Sequence, residues 1–176
     1  MRMRRSVFDA AVQEHSRRVF TLAAYLLGDH GEAEDVTQEV LIRLWRRGDE
    51  VATERIGAWL LRVTRNACID LIRRRKTIAP LEAVAARHHG EQEMVSPGPE
   101  RLAQASQLGH RIIGALQSLA EPQRSIVILR EVHGLPYQEI SEVLRIPIST
   151  VRVSLHRGRR KLRQELEEVV DHVAVC

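Results

Sequence analysis

The amino-acid sequence predicts an all-α protein made of two small helical domains that are joined by a flexible linker. Apolar residues recur every three or four positions over long segments, as along one face of an α-helix, and no segment alternates like a half-buried strand. Pro and Gly are concentrated in one central stretch, where this periodicity is lost. We therefore expect helical domains at residues 5–76 and 107–170 and a linker at residues 77–106.

The composition excludes several classes of protein. A chain of 176 residues that is 44% hydrophobic can form one or two small cores, which must be mostly aliphatic because aromatic residues make up only 3%. No apolar run approaches the ~20 residues that cross a bilayer, and no apolar signal core follows the basic N-terminus. Cys68 and Cys176 have no paired spacing. These features favour a cytoplasmic protein without membrane insertion.

The first helix is predicted from apolar residues at helical spacing near the N-terminus. Its stripe consists of Phe8, Val12, His15, Val19, Leu22 and Leu26. The sequence GDHG at residues 28–31 then ends the helix, because Gly readily adopts the left-handed conformation that closes a helix.

The second helix is predicted between Asp29 and Trp45, and its charges are divided. The first half has only acidic charges, whereas Arg43, Arg46 and Arg47 close the helix, an arrangement that matches the helix dipole. The apolar stripe consists of Val36, Val40 and Leu44, with Leu41 and Trp45 beside it. Taken alone, this pattern also fits a well-capped helix whose polar face is simply solvated.

A third helix is predicted from Ile56 to Lys76, and it is basic. Its inward face consists of Trp59, Leu60, Val63, Ala67 and Leu71. Its other faces supply hydrogen-bond donors from Arg62, Arg65, Asn66, Arg73, Arg74, Arg75 and Lys76. Cys68 fits as a small packing residue.

The stretch from Lys76 to Glu100 is interpreted as a linker because it contains Pro80, Gly90, Pro97, Gly98 and Pro99. Its neighbouring His88 and His89 do not share a helical face and have no third ligand nearby, so a solvated loop is favoured over a metal site. The chain also lacks a Gly-rich phosphate loop and the CxxC and GxSxG motifs. We therefore predict no catalytic residue, metal ligand or cofactor.

A helix-turn-helix is predicted at about residues 137–156. Pro147 interrupts the helical pattern, and Ser149 or Thr150 can cap the helix that follows. The first helix has an apolar face of Tyr137, Ile140, Val143 and Leu144, and the second has a stripe of Val151, Leu155, Leu162 and Leu166.

Positive charge is confined to the second helix of this predicted motif. From Arg145 to Arg163 there are seven Lys or Arg residues and no Asp or Glu. A basic second helix is the one that a helix-turn-helix protein places in the DNA major groove. Since the third helix is also basic, two spaced contacts on one DNA target are expected, and the linker would raise the effective concentration of the second contact.

Three motifs extend this interpretation. They are AEDVTQEVLIRLW at residues 33–45, WLLRVTRN at residues 59–66, and LAEPQRSIVILREVHGLPYQEI at residues 119–140, which continues into the helix-turn-helix. In this order they resemble the extracytoplasmic-function sigma factors, the compact two-domain members of the sigma-70 family of bacterial transcription initiation factors. The resemblance covers both predicted domains.

The resemblance implies an alternative sigma factor that binds core RNA polymerase and directs promoter-specific initiation without catalysis of its own. The helix matching Asp35 to Arg47 would dock on the largest polymerase subunit. The residues implied in that interface, or in the core that supports it, are Asp35, Gln38, Glu39, Leu41 and Trp45.

The resemblance also implies two promoter contacts and a protein antagonist. The segment matching residues 48–66 would melt the -10 element and capture a flipped base, and flipping costs a few kcal/mol. The residues implied in -10 binding are Trp59, Arg62, Arg65, Asn66, Arg73 and Arg74. Those implied in -35 binding are Ser149, Thr150, Arg152, Val153, His156, Arg157 and Arg160. An anti-sigma factor is a further expected partner.

The chain departs from the family pattern within the helix-turn-helix. Arg145 occupies a turn position where the family often has Gly, and a left-handed conformation costs a non-Gly residue about 1 kcal/mol. Val153 and Ser154 replace a polar residue and an Arg that are common in the recognition helix, which weakens the transfer of base contacts to these two positions. Arg152, in the first turn, is expected to read bases, and Arg160 to contact phosphate.

Two other classes of protein fit parts of the sequence. A dimeric helix-turn-helix regulator that acts without replacing a sigma factor leaves the acidic helix and the second basic helix unexplained. A nucleic-acid hydrolase could use the carboxylates between Asp29 and Glu39 to bind a metal, but a dipole-favoured helix start explains these residues more simply.

Overall fold

The computed structural model describes residues 3–78 and 99–173, and this part of the chain contains seven α-helices and no strand. The predicted all-α fold with two helical domains is therefore confirmed. The helices are α1 (Arg5–Leu27), α2 (His30–Arg47), α3 (Ile56–Ile78), α4 (Pro99–Gln117), α5 (Gln123–Val127), α6 (Tyr137–Leu144) and α7 (Ile148–Val173).

One predicted boundary differs from the structure. Helix α4 begins at Pro99, so residues 99–106, which were assigned to the linker, are helical. Pro99 stands at the first helical position, where a missing N–H costs nothing and a fixed φ favours the helix. The predicted solvated loop around His88 and His89 lies outside the described residues.

The N-terminal domain is formed by α1, α2 and α3. Helix α1 ends where the sequence predicts, since Gly28 has a φ of 68° and its N–H donates to the Ala24 carbonyl. Asp29 then caps α2, accepting a hydrogen bond from the Glu32 N–H at 2.9 Å. The core contains, among its fully buried side chains, Val19, Leu22 and Leu26 from α1, Val40 and Leu44 from α2, and Leu60 and Cys68 from α3.

The C-terminal domain is formed by α4 to α7, with a π-helical turn at Ile128–Val132 between α5 and α6. Helices α6 and α7 form the predicted helix-turn-helix. The turn depends on Arg145, which adopts the left-handed conformation that was predicted, with φ 55° and ψ 46°. Its core side chains include Ile140 and Val143 from α6 and Val151 and Leu155 from α7.

The prediction that Ser149 or Thr150 caps α7 is wrong. The helix begins at Ile148, and the Val151 N–H already donates to the Pro147 carbonyl at 3.2 Å. Since Pro147 has no N–H of its own, the helix can start directly after it without losing a donor. Ser149 is therefore exposed in the first turn rather than placed before it.

The two domains pack against each other. At the carboxyl end of α1, the Gln117 amide donates to the carbonyls of Tyr25 at 3.2 Å and Leu26 at 3.0 Å. Arg124 also donates to the Leu26 carbonyl, at 3.4 Å. The last carbonyls of a helix have no partner within the helix, so residues of the C-terminal domain cap a helix of the N-terminal domain.

Candidate polymerase and DNA interfaces

The exposed side of α2 carries the polar residues that were predicted to bind polymerase. Asp35, Gln38 and Glu39 are all exposed, opposite the buried stripe of this helix. Glu39 accepts a hydrogen bond from Arg43 at 2.5 Å. The charge of Asp35 is thus the more accessible of the two carboxylates to a partner.

Ile42 lies at the centre of this same side and was not among the predicted contact residues. Its side chain is 50% exposed, although Val40 and Leu44, two positions away on either side, are completely buried. Two residues turn an α-helix by about 200°, so Ile42 points almost directly away from the core. Its spacing from the buried stripe was the available signal in the sequence. We call Asp35, Gln38, Glu39 and Ile42 the α2 surface.

Leu41 and Trp45 occupy a different place from the polar residues with which they were grouped. Both are only partly exposed. The Trp45 ring packs edge-on against Phe8 of α1, with ring centroids 5.1 Å apart. These two residues therefore lie at the border of the α2 surface, and Trp45 connects it to the core.

A cleft of about 1450 Å³ lies between the two domains. Trp59 and Arg62 of α3 line one wall, and Arg145 and Pro147 of the helix-turn-helix line the other. Among the described side chains, six arginines and two carboxylates line the cleft, so these side chains carry a net positive charge. The arginines are Arg43, Arg46, Arg47, Arg55, Arg62 and Arg145, and the carboxylates are Glu50 and Glu142.

Arg62 and Arg145 face each other across this cleft. Partial burial lowers the pKa of Arg62 from its ordinary value, and the positive charge of Arg145 lowers it further. Two like charges from different domains therefore repel across the cleft, and an anion between them would remove that repulsion.

Arg65 is held by the C-terminal domain. Its guanidinium donates to the Glu121 carboxylate at 3.2 Å and to the Ser125 hydroxyl at 3.4 Å. The Ser125 hydroxyl donates to the same carboxylate oxygen at 2.7 Å. One of the residues predicted to contact the -10 element is thus occupied by an interdomain ion pair.

The remaining residues predicted for -10 binding lie in different places on the structure. Asn66 is exposed next to Arg65, from which its side-chain oxygen accepts a hydrogen bond at 3.4 Å. Arg73 is exposed near the end of α3. Arg74 lines a second, smaller cavity of about 340 Å³ together with Asp35 and Glu39 of α2. Trp59 and Arg62 thus line the cleft, whereas Arg74 lines this second cavity.

The first turns of α7 present the residues predicted for -35 binding. Val151 and Leu155 are buried, and the outward side carries Ser149, Val153, His156, Arg157 and Arg160, which are all exposed. We call these five residues the α7 surface. Thr150 and Arg152 each lie one position from Val151, about 100° around the helix, and so occupy the two edges of this surface.

Two cations of the basic helix have structural partners. Arg159 donates to the Glu131 carboxylate at 2.9 Å and 2.7 Å. Lys161 donates to the Ser118 carbonyl at 2.6 Å. These residues attach α7 to its own domain, and the other exposed cations of the described part of α7 are Arg152, Arg157, Arg160 and Arg163.

Two further observations concern metal binding and membranes. Among the described residues there is no group of three or more His, Cys, Asp and Glu side chains that could hold a metal ion. In the same part of the chain, no helix combines the length and apolar character that crossing a membrane requires.

The described residues thus form a helical protein with an exposed acidic face on α2 and a separate helix-turn-helix whose second helix is basic. Residues 11–78 match the family described as Sigma-70 region 2, and residues 110–162 match the family described as Sigma-70, region 4.

Similar proteins of known class support the same assignment. The chain is 37% identical over 159 residues to the ECF RNA polymerase sigma factor SigE of Mycolicibacterium smegmatis, covering 90% of this chain and 61% of that protein. It is 32% identical over 168 residues to the ECF RNA polymerase sigma factor SigW of Bacillus subtilis, covering 92% of this chain and 90% of that protein.

Two solved structures share the fold. The sigma factor RpoE from Bartonella quintana, in complex with the anti-sigma factor NepR, is similar with a TM-score of 0.70 at 22% identity, covering 91% of this chain and 96% of that one. CnrH in complex with the cytosolic domain of CnrY has a TM-score of 0.64 at 21% identity, covering 93% of this chain and 97% of that one.

The chain belongs to the extracytoplasmic-function sigma factors of the sigma-70 family, the alternative sigma factors that direct transcription initiation.

Proposed function

We propose that this sigma factor binds core RNA polymerase through the α2 surface and recognises a promoter through one DNA contact in each domain. The supporting observation is that the α2 and α7 surfaces project from separate domains and carry opposite charge. The chain then acts in the bacterial cytoplasm, without catalysis, metal or cofactor of its own.

Polymerase binding is assigned to the α2 surface because it has the organisation of a protein interface. Ile42 supplies an exposed apolar centre, and Asp35, Gln38 and Glu39 supply a polar and acidic rim. An apolar centre can be desolvated on binding, while the rim selects a partner with complementary charge.

Binding of the -10 element is assigned to α3 and the wall of the cleft that α3 forms. The Trp59 ring can stack on an unpaired base, and Arg62 beside it can neutralise a phosphate. Arg65 and Asn66 extend this contact only after Arg65 is released from Glu121. Promoter binding on this proposal therefore separates the two domains.

Binding of the -35 element is assigned to the α7 surface. Arg157 and Arg160 are exposed later in the helix, where phosphate contacts are favoured, and Ser149, Val153 and His156 occupy the turns nearest the bases. Arg152, at the edge of the surface, can reach either a base or the adjoining phosphate.

An anti-sigma factor is the proposed antagonist. Of the two solved structures of similar fold, one is a sigma factor in complex with an anti-sigma factor, and the other is CnrH in complex with the cytosolic domain of CnrY. A protein that covers the α2 surface would exclude polymerase. A pull-down from native cells under resting and stress conditions tests this proposal, and recovery of polymerase alone in both conditions contradicts it.

The function is tested with core polymerase and a genomic promoter library transcribed in vitro. We expect specific transcripts only when the chain is added. Asp35→Lys should weaken binding to core polymerase at least about tenfold without changing the thermal melt by circular dichroism, because Asp35 is exposed. Glu167→Lys, the same reversal at an exposed position of α7, is the control and should bind normally.

The same experiment separates the sigma factor from a dimeric regulator. A dimeric regulator would bind promoter DNA without polymerase and would not copurify with the core enzyme. Equal loss of folding and polymerase binding in Asp35→Lys would contradict the role of the α2 surface.

A further inference from the structure

The centre of the α7 surface is an aliphatic side chain. Val153 is 50% exposed, although it lies two positions from both Val151 and Leu155, which are at most 2% exposed. Two residues turn an α-helix by about 200°, so Val153 lies about 160° from each of these buried residues, measured the shorter way around the helix. It therefore points away from the core. Of the residues predicted for -35 binding, Val153 is the only aliphatic one.

The neighbours of Val153 make this position unusual. One turn before it is Ser149, and one turn after it are His156 and Arg157, all exposed and all able to form hydrogen bonds. A single exposed valine on an ordinary surface needs no explanation. At the centre of a surface that enters a DNA groove, however, the valine side chain would lose its contact with water, and it cannot form a hydrogen bond in exchange. It therefore needs an apolar group opposite it.

The major groove offers one apolar group at the base edges, the C5-methyl group of thymine. We propose that Val153 contacts the methyl group of a thymine in the -35 element, and that this contact makes one position of the element favour T. The inference rests on the proposed function, because it assumes that α7 binds -35 DNA.

The test begins with a -35 element selected from randomised DNA by the full chain bound to core polymerase. Each thymine of that element is then replaced by deoxyuridine, which removes the methyl group and leaves the hydrogen-bonding edge unchanged. We expect the replacement to weaken holoenzyme binding about fourfold at one position, the effect of exposing one methyl group, and to have little effect at the others.

Two variants connect the effect to Val153. In Val153→Ala, most of the contact is lost, so deoxyuridine should no longer weaken binding at that position. Val132→Ala is the matched control, because Val132 is 41% exposed in the same domain but lies outside α7. It should keep the full sensitivity to deoxyuridine. Thermal melts of both variants check that they are folded.

Several outcomes would overturn the inference. They are a selected element without a preferred T, no effect of deoxyuridine at any position, and equal sensitivity of the chain with Val153 and of Val153→Ala. If the holoenzyme selected no -35 sequence at all, the proposed function itself would fail. Selection that is indifferent to the methyl groups would remove only the contact of Val153.

Discussion

Arg145 adopts a strained backbone conformation at the turn of the helix-turn-helix. It ends α6 in the left-handed region, with φ 55°, and it faces Arg62 across the cleft. A β-carbon in this region clashes with the following carbonyl, whereas glycine has no such clash. The residue thus combines backbone strain with repulsion between like charges.

Two substitutions of Arg145 separate these effects. Arg145→Gly should raise the free energy of unfolding by about 1 kcal/mol, because it relieves the left-handed strain. Arg145→Ala removes the same charge but keeps the strain, and should gain much less. Urea denaturation of both variants measures the difference. Equal stabilisation by Ala and Gly would assign the effect to charge instead.

The sequence predicted the conformation of Arg145 and the packing of Cys68 correctly. Cys68 is completely buried, and burial, with a smaller contribution from Glu121, raises the pKa of its thiol to about 12. The expectation for Arg145 follows from the family's turn position, and that for Cys68 from its residue type within a helix. Arg65 could not be interpreted in this way, because its partner Glu121 is 56 residues away and only the tertiary fold brings them together.

At the scale of helices, Gly158 fixes the packing of α7 against α5. A β-carbon at this position would lie 2.7 Å from Cγ2 of Val127, a distance too short for two carbon atoms. Val127 is buried and stiff at χ1, so its side chain cannot easily move aside. Gly158 is therefore a position where the two helices approach closely.

The same substitution should have opposite effects at two helical glycines. Gly158→Ala should destabilise the protein by about 1–3 kcal/mol, because the cost of overpacking exceeds the gain in helix propensity. At Gly114 in α4, the added carbon would meet no atom of the described residues within 4 Å beyond its own helix backbone and chain neighbours, so Gly114→Ala should stabilise the protein by up to about 1 kcal/mol. Thermal melts of both variants compare them. If both substitutions stabilised the protein, the close packing at Gly158 would be refuted.

Element boundaries were less predictable than element types. The helical stripes and the position of the helix-turn-helix followed from spacing, and the structure confirms them. The starts of α4 and α7 did not follow from spacing, because a proline in the sequence indicates a break as readily as a helix start. Pro99 begins α4, and Pro147 directly precedes α7. A proline fits the first turn of a helix as well as a loop, so the residue alone does not decide between them.

At the scale of the molecule, the contact between domains places a histidine in an unfavourable environment. His133 follows the π-helical turn, and its Nε2 atom is buried without a hydrogen-bond partner among the residues that the structure describes. Burial, with repulsion from Arg18 of α1, lowers the pKa of His133 to about 4. In the unfolded chain the same group titrates near 6.5.

This difference predicts a loss of stability in mild acid. Between about pH 6.5 and pH 4 the unfolded chain binds a proton that the folded chain does not, so the free energy of unfolding should fall as the pH falls. At about 1.4 kcal/mol per pKa unit, the contribution is at most about 3 kcal/mol. Denaturation midpoints from pH 7 to pH 4 measure it. His133→Gln should flatten the curve in this window, and an unchanged curve would contradict the assignment.

The ion pair between Arg65 and Glu121 is expected to oppose the proposed DNA contact. Both side chains are about a quarter exposed, so the pair contributes about 1 kcal/mol to domain packing. Glu121→Gln should therefore shift the equilibrium toward separated domains about fivefold. We expect a larger radius of gyration by small-angle scattering and severalfold tighter binding of a single-stranded -10 oligonucleotide. Glu131→Gln is the control, since it removes the same charge from an ion pair with Arg159 inside one domain. Equal gains in both variants would attribute the effect to net charge rather than to the release of Arg65.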